Sequence, residues 1–171
     1  RAINCGMMPA LDNKSDDFFM FNIRPDKIGK MIADIVAHRI PNSFGIPCED
    51  IQVLSPMYKG NGGVDDINTR LQEQLNADSR WSIQHKNGLF KVGDRVIQTQ
   101  NNYADHVMNG EVGQITFINK KKKTITILFN KQVAYSYAQM NQVKLAYAIT
   151  IHRSQGSEYQ AVVIPVTDSM S

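Results

Sequence analysis

A chain of 171 residues, 42% hydrophobic and 20% charged, has the composition of a folded protein and suffices for one ordinary domain or two small ones sharing a core. No apolar run reaches the length of a membrane span, and no signal-peptide pattern opens the chain. Cys5 and Cys48 form neither a metal spacing nor a disulfide framework, so they read as reduced thiols in a cytoplasmic protein; the net charge of +3 says little until its distribution is considered.

Phe18–Asn22 reads as a short buried strand. Pro25 suits a first helical turn, and Ile28, Met31, Ile32, Ile35 and Val36 follow at helical spacing, with Pro41 expected to end the helix. Ile51–Leu54 is a second strand. A polar loop with three glycines runs from Ser55 to Gly63, and Val64, Ile67, Leu71 and Leu75 then mark an amphipathic helix. This order predicts a parallel sheet with covering helices. In the glycine loop, Lys59 and the amides of Gly60–Gly63 are candidates to meet a phosphate beside the helix start. Asp65 and Asp66 already answer the helix dipole, which leaves Lys59 the better candidate; the alternative is a plain surface loop.

From about Asn87 the pattern changes. Short β-rich runs at Arg95–Thr99, Glu111–Ile118, Thr124–Phe129 and Gln132–Tyr137, punctuated by glycine turns and Lys120–Lys123, predict a small β-barrel without helices. Between Lys86 and Lys131 lie eight Lys and Arg against three acids, +5 within a chain of net +3, so the remainder carries −2. A basic module in a slightly acidic frame suits a polyanion partner. Lys120–Lys123 reads first as a solvated turn guarding an edge strand. Asn101, Asn102, Tyr103 and Asn109 carry two open readings. Either amides meet sugar and phosphate while Tyr103 stacks a base, or the run is turn chemistry with Tyr103 packed inward. Trp81 reads as a core or hinge residue, His38 and His85 as surface residues, and Arg95 as lying on a strand face.

The apolar run Leu145–Ile151 reads as a strand that breaks into a polar tract with His, Arg, Gln and Gly, before a second apolar run at Ala161–Val166. Polar groups then gather at a strand end, where open α/β sheets place ligands. Thr150, Ser154 and Ser157 can donate to phosphate oxygens, His152 and Arg153 add charge or a donor, and Gly156 permits close backbone approach. The alternative is an ordinary strand-to-helix turn capped by Thr150, with His152 solvated.

The tract Thr150–Glu158, reading T-x-H-R-S-Q-G-x-E, resembles motif V of superfamily 1 helicases, most closely the RecD-like and conjugative TraA-like branch. Three further segments are similar to RecD: Leu54–Gly60, Val92–Val96, and Asn101–Tyr103 followed by Asn109–Gly113. The resemblance implies an α/β fold: a partial RecA-like P-loop NTPase domain (2A) with an inserted SH3-like β-barrel (2B). The division would be residues 1–86, the insertion 87–141, and the return 142–171 with motif V. It implies that Thr150 and His152 face a DNA backbone, with Gln155, Gly156 and Glu158 nearer a nucleotide cleft. No G-x-x-x-x-G-K-[ST] occurs in the chain, nor an apolar strand ending in Asp-Glu. ATP and Mg2+ would thus be held mostly by an N-terminal RecA-like domain outside this sequence, and the chain reads as an excised piece without ATPase activity. The implied partners are single-stranded DNA, the N-terminal helicase domains and other recombination subunits, with 5′→3′ movement in the intact enzyme. A conjugative relaxase carrying the same helicase portion, or a non-catalytic nucleic-acid-binding module, are the alternatives.

Overall fold

The computed structural model describes Asn13, residues 17–155 and residues 157–166. Pro25–Lys27 form a 3-10 turn leading into α1 (Ile28–Asp34), a π-turn (Ile35–Arg39) and α2 (Ile40–Phe44). Pro41 therefore does not end the helix, as its ring would suggest. Ile40 donates its N–H to the Ile35 carbonyl, the i→i−5 bond of a π-turn, so the hydrogen-bond register is already widened where Pro41 enters without a donor. The stop comes at Gly45, left-handed at φ 68°, whose N–H bonds to Pro41 O. Phe18–Asn22 is not a strand either. It has no sheet partner, Phe19, Met20 and Phe21 are exposed, and the Phe19 ring meets Phe44 at 5.5 Å. A short apolar run does not name its partner, and this one meets a helix end.

β1 (Ile51–Ser55) is buried at every position because it is the middle strand of a three-stranded parallel sheet. α3 (Val64–Leu75) follows, burying Val64, Ile67, Asn68, Leu71 and Gln72 on one face. With α1 it covers the sheet in a core of Ile28, Ile32, Ile51, Val53, Ile67, Leu71 and Ala148.

The β-rich region begins with a hairpin, β2 (Ser82–His85) and β3 (Gly88–Lys91), and continues with β4 (Arg95–Gln98), β5 (Val112–Asn119), β6 (Thr124–Leu128), β7 (Gln132–Ser136) and β8 (Val143–Leu145). The last five form an antiparallel sheet in the order β7-β6-β5-β4-β8, with the hairpin as a separate pair. The expected barrel is thus an open sheet in its hydrogen bonding. Its apolar face is closed by packing instead, around Phe90, Ile115, Ile125, Ile127, Tyr135 and Met140. His85, expected at the surface, is buried and packs edge-on against Tyr137 at 4.8 Å; burial pushes its pKa down. Trp81, expected in a core or hinge, is 60% exposed.

The run Leu145–Ile151 is two strands. Leu145 ends β8 opposite Val96 of the antiparallel sheet, while β9 (Ala148–Thr150) pairs with β1 of the parallel one; Ala146 and Tyr147 make the crossing. β10 (Ala161–Val163) completes the parallel sheet on the other side of β1. The two layers are joined by polar groups. Asp94, fully buried, accepts from Gln72 Nε2 at 2.5 Å, Asn76 Nδ2 at 2.7 Å, the Lys91 amide at 2.7 Å and the Tyr147 hydroxyl at 3.0 Å. Arg95 reaches from β4 to the carbonyls of Glu49 and Ile51 through Nη1, at 3.1 and 3.3 Å. A groove of about 560 Å³ between the layers is lined by Val36, Cys48, Arg95 and Tyr147 among others. Among the described residues no helix is long and apolar enough to cross a membrane.

Candidate nucleic-acid interface

β1 and β9 are parallel and in register, Val53 opposite Ala148 and Ser55 opposite Thr150, so both strands end at one edge. The loop after β1 and the turn after β9 therefore emerge side by side at the carboxyl edge of the sheet. Asn68 of α3 holds β9 from outside, accepting the Ala148 N–H on Oδ1 at 2.9 Å and donating to the Ala148 carbonyl at 3.0 Å. A side-chain amide thereby stands in for a neighbouring strand.

The glycine loop is folded back on itself. Ser55 Oγ donates to Gly62 O at 2.8 Å, and the first helix amides are already used: Val64 N–H bonds to Met57 O and Asp65 N–H to Tyr58 O. A Cβ on Gly63 would lie 2.8 Å from the Lys59 carbonyl oxygen, so only glycine admits this close return. The helix start is thus satisfied by its own loop. Lys59 is exposed beside it, next in sequence to Tyr58.

Tyr58, Lys144, Thr150 and Arg153 line one concavity, together with Thr99 at the end of β4. Lys144 Nζ stands 5.6 Å from the Tyr58 ring centroid, within reach of a cation–π contact. The Tyr58 hydroxyl has its pKa lowered, chiefly by hydrogen bonding to the Arg153 side chain; burial opposes this, and Thr150 and the charges of Arg153 and Lys144 reinforce it. Arg153 Nη1 is buried with no hydrogen-bond partner. The guanidinium nitrogen has no protein acceptor and is closed off from solvent, so it can meet an anionic oxygen at this edge only once the Arg153 side chain turns outward.

The other sequence-derived candidates take varied positions. Thr150 is buried in β9, with the concavity above it, while His152 is exposed in a 3-10 turn of Ile151–Ser154. Ser154 Oγ is engaged within that turn, donating to Ile151 O at 2.7 Å. Gln155 and Glu158 are exposed, and Gly156 lies outside the described residues. Asn101, Asn102, Tyr103 and Asn109 form a loop that leaves the sheet just beyond Thr99. Tyr103 is 69% exposed and its hydroxyl accepts from Asn101 Nδ2, so it is not packed inward. Asn101 Oδ1 takes the Asn109 amide, and Asn102 binds Asp105 through both side-chain atoms, so these amides largely build the loop. Sequence reasoning passed over Tyr58 as a site residue and Lys144 altogether. The adjacency of Tyr58 to Lys59 was a usable signal; nothing local marks Lys144. Among the described residues no three His, Cys, Asp or Glu side chains gather as a metal ion would require.

A parallel sheet with loops converging on its carboxyl edge, joined to an antiparallel β module, has the architecture of a RecA-like domain with an SH3-like insertion. Residues 67–129 match the "ATP-dependent RecD-like DNA helicase SH3 domain" and residues 145–171 the "UvrD-like helicase C-terminal domain". Two segments of the chain are thus similar to helicase sequences, the first of the RecD-like kind. It is 34% identical over 114 residues to the "ATP-dependent RecD2 DNA helicase" of Deinococcus radiodurans, covering 66% of this chain and 16% of that protein. It is 30% identical over 119 residues to the "RecBCD enzyme subunit RecD" of Buchnera aphidicola subsp. Schizaphis graminum, covering 65% of this chain and 19% of that protein. The chain therefore spans less than a fifth of the length of these relatives. Among solved structures, Pif1 helicase from Bacteroides, in complex with ADP-AlF3 and ssDNA, superposes with a TM-score of 0.53 at 17% identity. The match covers 85% of this chain and 40% of that one, and at this identity it concerns the fold.

Proposed function

We propose that the carboxyl edge of the parallel sheet holds the phosphate backbone of single-stranded DNA within an ATP-dependent DNA helicase of the RecD-like kind. The observation that carries this is the concavity in which Arg153 Nη1 lacks a partner while Lys144 and Tyr58 stand beside it. Two cations and an aromatic ring suit a strand's alternating phosphates and bases. Lys59 and His152, both exposed, are next in sequence to Tyr58 and Arg153 of the concavity, and the Tyr103 loop follows Thr99. The solved Pif1 complex with ssDNA agrees in kind with such a ligand.

In this reading the parallel sheet with its helices belongs to one RecA-like domain and the antiparallel module to its insertion, which takes in β2 and β8 and so reaches past the expected bounds 87–141 at both ends. ATP and Mg2+ are bound mainly by a preceding RecA-like domain, with Gln155, Gly156 and Glu158 nearest the nucleotide. The turn after β9 then touches strand and nucleotide together, and closure driven by hydrolysis shifts the grip on the DNA. Movement is 5′→3′, and the chain by itself turns over no ATP.

Fluorescence anisotropy with a labelled oligo-dT tests the grip. Arg153→Gln should weaken binding several-fold and flatten the log–log salt dependence by about 0.7, the value for one neutralised phosphate on a single strand. An unchanged slope and affinity would refute it. In the intact enzyme, His152→Ala should leave ATP turnover running while unwinding falls; normal unwinding would refute the coupling.

A further inference from the structure

The outer face of the antiparallel sheet carries a feature that the strand-end site does not use. Between Ile115 and Phe117 the β5–β6 register shifts at a bulge. Ile115 and Ile118 both point into the core, and the one extra residue, Thr116, lets Phe117 turn outward between them. Phe117 is 57% exposed, and its neighbours across the face are Thr126 on β6 and Ala134 on β7. The next row toward the hairpin tip is Asn119, Thr124 and Ser136, short polar groups without charge. Beyond them stands the turn Lys120–Lys123, whose four lysines are exposed and have no ion pair among the described residues.

Acidic residues are missing from this face. From Val112 to Ser157 the sequence holds no Asp or Glu, but six Lys and Arg153. Guarding of an open strand edge accounts for lysines at a hairpin tip. It does not account for an aromatic ring set outward by a bulge between Thr126, Ala134 and the uncharged row Asn119, Thr124 and Ser136, with the exposed apolar residues Leu128 and Val112 lying at the far end of the face from the lysine turn. The tip is also remote from the first concavity. β4 pairs with β5 only as far as Gln114, and the five further residues to Asn119 extend about 17 Å at strand rise.

We infer that this face, Phe117 with Lys120–Lys123, is a second nucleic-acid surface that takes a single strand, one base stacking on Phe117 and its flanking phosphates lying against the lysine turn. An exposed ring stacks any base without reading sequence, while clustered ammonium groups replace condensed counterions. The surface stands apart from the strand-end site and does not depend on the helicase reading.

The test uses the full chain with labelled oligo-dT long enough to span both surfaces, at low and moderate salt. Phe117→Ala should weaken binding about fivefold or more, the lower end for one stacked base. The triple variant Lys120→Gln, Lys121→Gln, Lys122→Gln should weaken it further at low salt and flatten the salt dependence by about 0.7 for each phosphate no longer neutralised. In a Trp81→Phe background, Phe117→Trp should show fluorescence quenching as the strand binds. Phe117 is exposed, so circular dichroism should show both variants folded. Unchanged affinity in both with no quenching overturns the inference, and if Arg153→Gln still weakens binding the strand-end site stands alone. If neither surface matters, both readings fall. Self-association of the chain that Phe117→Ala abolishes, with oligonucleotide affinity intact, would assign the face to a second copy and overturn the inference as well.

Discussion

Tyr147→Phe isolates one bond in the polar junction between the layers. The variant keeps the ring, which packs with Ile51, Val53 and Leu71, and removes only the hydroxyl that donates to Asp94 Oδ1 at 3.0 Å. Hydrogen bonds to charged groups contribute about 1.5–3 kcal/mol. This is the longest of the four bonds to Asp94, so the lower end, about 1.5 kcal/mol, is expected at neutral pH. The loss should depend on pH, and the sign follows from Asp94. Burial raises its pKa, opposed by hydrogen bonds from Asn76, the Lys91 amide, Gln72 and Tyr147. A carboxyl that binds its proton more tightly folded than unfolded contributes stability fully below the unfolded pKa and loses it as pH rises through the folded one. Deleting one opposing bond raises that pKa further. The difference between wild type and variant should thus be full at pH 7.5 and shrink as acid neutralises Asp94. Tyr147 stays protonated throughout, since burial and the Asp94 charge push its pKa far above the usual phenol range. Urea unfolding followed by far-UV circular dichroism, in steps from pH 7.5 downward, measures the difference. A gap equal at every pH, or none at pH 7.5, would refute the reasoning.

Asn68→Ala should cost about 2–3 kcal/mol, because it leaves the buried Ala148 amide and carbonyl without their partner, and urea denaturation reads this directly. The same variant should weaken oligonucleotide binding at the turn that β9 supports, whereas a loss of under about 0.5 kcal/mol would mean that water replaces the amide. Gly63→Ala puts a Cβ 2.8 Å from the Lys59 carbonyl oxygen, so the loop bearing Tyr58 and Lys59 must shift. Its oligonucleotide affinity should fall more than its stability, and equal affinity would separate that loop from the interface.

How much of this was legible depended on whether a residue's role was set locally. Val64, Ile67, Leu71 and Leu75 announce α3 because a period of 3.6 specifies one face, and the structure buries the first three with Leu75 packed at the margin. The polar tract after β9 was legible because its residue types suit one chemistry. Leu145–Ile151 misled because apolarity marks burial and not the sheet that supplies it: one part satisfies Val96 and the other Val53, with a crossing between. Phe18–Asn22 misled in the same way, and Pro41 did because the π-turn that accommodates it has no clear sequence sign. Lys144 was invisible for a related reason. Only the pairing of β8 with β4, which buries Val143 and turns the next side chain out, brings that lysine to Tyr58. The one crossing that divides the apolar run thus does two things. It supplies Tyr147 to the junction at Asp94, and it brings Lys144 and Thr150 into the lining of a single concavity. A change that loosens the junction should therefore be felt at the interface, whereas a change at Arg153 should leave the junction intact. Measuring oligonucleotide affinity in Tyr147→Phe and unfolding in Arg153→Gln tests that asymmetry.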